Sequence, residues 1–154
     1  MPFGLAAATR RQFLGSVALG TAALALSPAP TQASVEAVAA EIKKLFGDKK
    51  FLDGKIKLDM PTIAENGLVV PLSFEVESPM TEANYVKAVT FFAEGNPNPQ
   101  IASFRFTPLS PKAAAAIRIR LAQTQNIVAF AEMSNGDIYT VRQEVKVTIG
   151  GCGG

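Results

Sequence analysis

The chain has 154 residues, a formal net charge of +2, no histidine and one cysteine, and its length fits one domain with one core. Without histidine, neither a Ser-His-Asp nor a Cys-His nucleophile can be assembled, and a zinc site of the usual Cys/His type lacks its ligands. Arg10 and Arg11 carry the whole excess of the 15 basic over the 13 acidic residues, so the remainder is close to neutral and offers no basic surface for tracking phosphates.

Thr9-Arg10-Arg11-Gln12-Phe13-Leu14-Gly15 precedes an apolar run from Ser16 to Leu26, followed by Pro28, Pro30 and Thr31-Gln32-Ala33. A charged start, an apolar middle and a small-residue end read as a twin-arginine signal peptide over residues 1–33, cleaved after Ala33. The rival reading is a membrane-anchoring helix, but the uninterrupted run is shorter than the ~20 residues a bilayer span needs. The twin-arginine route delivers folded protein to the periplasm. With no cofactor ligands evident in the chain, a co-exported partner is the expected companion.

Removing the signal leaves about 120 residues, enough to bury a core without disulfides or metal. Val35, Val38, Ala39, Ile42, Leu45 and Phe46 recur at helical spacing, which predicts a helix from Ser34 to Phe46 with Ser34 as its cap and Gly47 as its stop. Its expected task is to cover one open end of the core.

After Gly54 the period changes to two. Ile56, Leu58 and Met60 form one alternating stripe, and Leu68, Val70, Leu72, Phe74 and Val76 another; both read as half-buried strands. The pattern returns at Ala102, Phe104 and Phe106, and at Ile117, Ile119 and Leu121. Turns are expected at Ala64-Glu65-Asn66-Gly67, Ser78-Pro79, Gly95-Asn96-Pro97-Asn98-Pro99 and Pro108-Leu109-Ser110-Pro111. Tyr85 to Phe92 and Ile127 to Met133 are apolar on both faces, so each needs a second cover besides the core. The N-terminal helix, a long loop or another subunit would serve. Ser134-Asn135-Gly136-Asp137 is a hairpin signal leading into a last strand from Ile138 to Ile149.

About seven strands behind one short N-terminal helix predict a mainly β fold, an immunoglobulin-like antiparallel β-sandwich over residues 34–149. A small barrel is the alternative.

The last strand runs directly into Gly150-Gly151-Cys152-Gly153-Gly154. Four glycines around the sole thiol predict a flexible carrier arm over residues 150–154. From Ile149 to Cys152 an extended backbone reaches roughly 10 Å, enough to enter a cleft, and the missing side chains keep the arm narrow. With no Lys or Arg beside it, the thiol is expected near its free pKa of about 8.5, poorly activated at home and suited to activation inside a partner. Other uses of such a tip are a disulfide-linked or purely structural exported partner protein, and a ubiquitin-like Gly-Gly terminus, whose ATP-dependent activation the export signal argues against. Prenylation is excluded because only two residues follow the cysteine.

The twin-arginine signal, the β-rich domain and above all the terminal Val-Lys-Val-Thr-Ile-Gly-Gly-Cys-Gly-Gly resemble SoxY, the sulfur-carrier subunit of the thiosulfate-oxidising Sox system. The resemblance implies a non-catalytic subunit without cofactor or metal, with Cys152 as the covalent sulfur attachment site and Gly150, Gly151, Gly153 and Gly154 as the arm. It further implies a periplasmic heterodimer with a SoxZ-like subunit covering one of the two-faced strands. Transient partners would be SoxAX, a c-type cytochrome that joins thiosulfate oxidatively to the thiol; SoxB, which hydrolyses off sulfate; and a sulfane dehydrogenase.

Overall fold

The computed structural model describes residues 35–150. Helix α1 (Val35–Phe46) opens this part, with Glu36 in the first turn and Lys43 and Lys44 in the last complementing its dipole. It stops where the Gly47 amide bonds the Lys43 carbonyl at 2.8 Å and Gly47 turns to φ +66°, a left-handed cap that glycine adopts without strain. The predicted cap, Ser34, lies outside the described residues.

Nine strands follow: β1 (Phe51–Asp53), β2 (Ile56–Asp59), β3 (Ile63–Asn66), β4 (Val70–Val76), β5 (Val86–Ala93), β6 (Gln100–Arg105), β7 (Ala113–Ile119), β8 (Gln125–Met133) and β9 (Ile138–Ile149). The larger sheet has the order β1-β9-β8-β5-β6, with β3 also paired to β9; the smaller is β2-β4-β7. Together they make the predicted immunoglobulin-like sandwich. Its core is filled from β4 by Val70, Leu72, Phe74 and Val76 and from the facing sheet by Val89, Phe91, Ile127, Ala129 and Val145. Phe74 lies 5.0 Å from Phe91 and 5.1 Å from Phe104, ring centre to ring centre, close enough for tilted aromatic contact.

Alternation accounts for the two-faced strands. On β8, Ile127, Ala129 and Ala131 point into the sandwich, while Val128 and Phe130 join Phe92 of β5 on the outer face. That outer face is covered by Val38, Ile42 and Phe46 of α1 together with Phe51. The helix therefore lies across the large sheet instead of closing an end of the core, burying its apolar stripe on the outward residues Phe92, Val128 and Phe130. The second cover of both strands comes from this chain.

Four details depart from the expected pattern. The sandwich is not wholly antiparallel: β1 and β3 both run parallel to β9, with Phe51 opposite Ile138 and Ile63 opposite Lys146. β1 breaks no visible alternation because it is only three residues long. β3 occupies most of the predicted turn Ala64-Glu65-Asn66-Gly67; only Ala64 of that strand is buried, so backbone bonding to β9 holds it where side-chain pattern does not. β7 begins at Ala113, in an alanine run that carries no period, yet Ala113 to Ile119 pair continuously with β4.

The helix cover gives a stability prediction. Phe130 is 4% exposed and its ring meets Phe46 at 5.2 Å, Phe51 at 5.0 Å and Phe92 at 5.9 Å. Phe130→Ala should lower the unfolding free energy by about 3 to 5 kcal/mol in a urea titration. A loss below about 1 kcal/mol would show that α1 does not seal this face.

Candidate functional site

Of the residues singled out from the sequence, Gly150 lies within the described part; Cys152, Gly151, Gly153, Gly154, Arg10 and Arg11 lie outside it. What the structure describes is the root from which the thiol-bearing tail leaves.

β9 pairs with β8 as far as Val145, opposite Gln125. Beyond that point it is carried by β3, with Ala64 opposite Val147 and Asn66 opposite Ile149. Loop contacts extend the hold. The Lys146 amide donates to the Thr62 carbonyl at 2.9 Å, and the Ile149 carbonyl accepts from the Gly67 amide at 2.8 Å. From the other flank, the Val147 amide donates to Thr124 Oγ1 at 2.9 Å. Gln143 ties the strand further back, donating to the Met60 carbonyl at 3.0 Å. The chain is thus held as ordered strand to its last residue before the glycines.

Residues 120–124, beside this root, are fixed by buried amides. Asn96 is 2% and Gln125 7% exposed. Asn96 Nδ2 donates to the Arg120 carbonyl at 2.8 Å, and Asn96 Oδ1 accepts from the Ala122 amide at 3.0 Å and from Gln125 Nε2 at 2.9 Å. Gln125 Oε1 in turn accepts from the Gly95 amide at 2.6 Å. The Leu121 amide bonds the Gly67 carbonyl at 2.8 Å, joining this segment to the loop that holds Ile149. Such fully satisfied buried networks fix backbone because each unmade bond would leave a desolvated polar group. Sequence reading took Gly95-Asn96-Pro97-Asn98-Pro99 as an ordinary turn. Nothing in its composition separates a buried asparagine from a solvated one.

Gly150 sits directly against this segment. A β-carbon built on it would overlap the carbonyl oxygen of Ala122 and lie 3.3 Å from its carbon. Around the exit, Leu68, Val69 and Ile149 are 42%, 56% and 67% exposed, a local collection of large aliphatic side chains held out in solvent.

Catalytic groups among the described residues do not gather there. Among the described residues no cluster of three or more His, Cys, Asp or Glu side chains stands ready for a metal ion. Lys87, whose ammonium bonds Glu132 at 2.9 Å and is held above its ordinary pKa by that bond and charge, pairs across strands at the far end of β8. Glu94 is a buried carboxylate, but Arg142 and Asn126 both bond it, so its role is structural. A depression of about 480 Å³ on the outer face of β2-β4-β7 is an open trough whose Lys57 and Lys112 are paired with Glu77 and Glu75.

Fold and root together define an immunoglobulin-like sandwich protein that presents a tail from the end of a clamped strand. The chain belongs to the SoxY family: the family model described as sulfur oxidation protein SoxY matches residues 42–152, running through the cysteine. Among solved structures, the sulfur carrier protein SoxY from Chlorobium limicola f thiosulfatophilum is 30% identical, with a TM-score of 0.62 over 75% of this chain and 100% of that one. Superoxide reductase (neelaredoxin) from Ignicoccus hospitalis, 19% identical with a TM-score of 0.54, covers 61% of this chain and 80% of its own. A putative superoxide reductase from Thermotoga maritima is 12% identical, with a TM-score of 0.54 over 63% of this chain and 93% of its own. These last two likenesses show the fold alone. No curated protein matches the sequence.

Removing the Asn96 side chain tests whether residues 120–124 depend on it. Asn96→Ala should cost about 1 to 3 kcal/mol and speed hydrogen exchange at the Leu121 and Ala122 amides. Unchanged exchange at both would show that the buried amides do not hold the segment.

Proposed function

We propose that this chain is a covalent sulfur carrier of periplasmic thiosulfate oxidation, holding sulfur intermediates on Cys152 and bringing them to partner enzymes. The observation that carries the reading is the family match running through Cys152, onto a strand whose order is maintained to Ile149. A rigid mount followed by a short glycine-flanked thiol is a mechanical arrangement for presenting one group to several clefts.

In loading, the Cys152 thiol gives up its proton and bonds the outer sulfur of thiosulfate. Two electrons leave, accepted by a c-type cytochrome of SoxAX type. Hydrolysis by a SoxB-type enzyme then breaks the bond between that sulfur and the sulfonate sulfur; water supplies the oxygen of the departing sulfate, two protons are released, and a persulfide anion stays on Cys152. A sulfane dehydrogenase-type enzyme acts on the remaining sulfur. In this reading the chain holds, presents and releases the sulfur, and the acid, base and metal chemistry belongs to the partner enzymes. A SoxZ-like subunit is the proposed permanent partner, and residues 1–33 the export signal with Arg10 and Arg11 at its core.

Tail length fixes which surface the enzymes meet. Because Cys152 reaches only roughly 10 Å beyond Ile149, an enzyme that takes the thiol into a cleft brings the rim of that cleft against Leu68, Val69 and Ile149. Burial of these exposed side chains favours the encounter.

Two variants test the reading. Cys152→Ser should abolish thiosulfate-dependent mass gain in the presence of the loading enzyme while leaving the unfolding midpoint unchanged; retained loading would refute the attachment site. Val69→Asp combined with Ile149→Asp should slow enzymatic loading about tenfold, close to 1.4 kcal/mol of lost docking, without altering reaction of Cys152 with a small aromatic disulfide. Equal loading would remove the docking rim from the account.

A further inference from the structure

We infer that Gly150 is a positioning residue, a fulcrum that sets the direction in which the tail leaves, and not a free link of the arm. The inference deepens the carrier reading and rests on it for its consequence in transfer. Three observations carry it. First, a β-carbon at Gly150 would overlap a backbone carbonyl oxygen, that of Ala122, and backbone cannot swing aside as the end of a long side chain can. Second, that carbonyl is not free to yield: the Ala122 amide is bonded to buried Asn96, the preceding Arg120 carbonyl is bonded to the same side chain, and Leu121 is bonded to Gly67. Third, the residue before Gly150 is equally fixed, since the Ile149 carbonyl accepts from Gly67. A side chain at position 150 must therefore displace the tail, because the backbone it would meet and the residue before it are both held.

Gly150 thus differs in kind from what its place in a run of glycines implies. A glycine in a loose tether is exchangeable for alanine at little cost; a glycine in close approach to backbone is not. Fixing the exit line lets Cys152 enter a partner's cleft from a constant angle, and small misplacements of reacting groups are costly in rate.

The full mature chain is suited to the test because Cys152 is its sole thiol and takes a nitroxide label specifically. In the unlabelled wild type, the Gly150 amide should show an NMR order parameter close to the rigid-strand value of about 0.85; a value below about 0.6 overturns the inference. In labelled Gly150→Ala, the set of amides broadened by the nitroxide should shift to a different part of the surface, while β4, β5 and β8 keep their chemical shifts. An identical set of broadened amides overturns it. Enzymatic loading of Gly150→Ala with thiosulfate should fall about tenfold or more, with capture by a small aromatic disulfide unchanged; loading at the wild-type rate overturns it. Should the wild type itself take up no sulfur, the carrier reading fails, and the order parameter and the broadening pattern still decide the role of Gly150.

Discussion

The parallel pairing of β3 with the final residues of β9 is the constraint on which the order of the last strand depends. β8 lets go of β9 at Val145, and an unpaired strand end leaves amides and carbonyls without partners and frays into solvent. β3 takes over there with Ile63 opposite Lys146 and Asn66 opposite Ile149, and Thr124 bonds the Val147 amide at 2.9 Å from the other flank. These bonds turn a terminus into a fixed post. They also explain a strand that buries only one of its four side chains: β3 exists for its backbone.

The helix solves a separate problem. β5 and β8 are central strands with bulky residues on both faces, and Phe92, Val128 and Phe130 would present a broad apolar patch if left bare. α1 covers them with Val38, Ile42 and Phe46, and Phe51 completes the seal. Leu68, Val69 and Ile149 stay exposed near the root of the tail, as does Ile63 of β3. In the proposed carrier reading, these side chains are the surface a partner enzyme meets.

Much of this was legible before the structure, and the reasons for the rest are physical. β4 and β9 have one face in the core and one in water, so their alternation survives in the sequence, and the hairpin at Gly136 is marked by its turn residues. α1 was legible for the same reason at a different period. β1 and β3 were not, because short strands held by backbone bonds to β9 impose little demand on side-chain type. Of the β7 alanines Ala113 alone is fully buried, and the run carries no hydropathic contrast. At the root, the tail glycines read as a uniform flexible run; only the approach of Gly150 to Ala122 distinguishes one of them, and that contact spans 28 residues of sequence. Asn96 and Gln125 escaped notice likewise, as polar residues whose burial is decided by the fold and not by their neighbours in the chain.

The central claim is that sulfur chemistry passes through Cys152 on a fixed mount. Mass spectrometry of the C-terminal peptide from protein purified out of cells actively oxidising thiosulfate tests it most directly. The account predicts sulfur adducts on Cys152, both the thiosulfate-derived form and the persulfide left after sulfate is removed. A C-terminal peptide carrying only the unmodified thiol under turnover would contradict it.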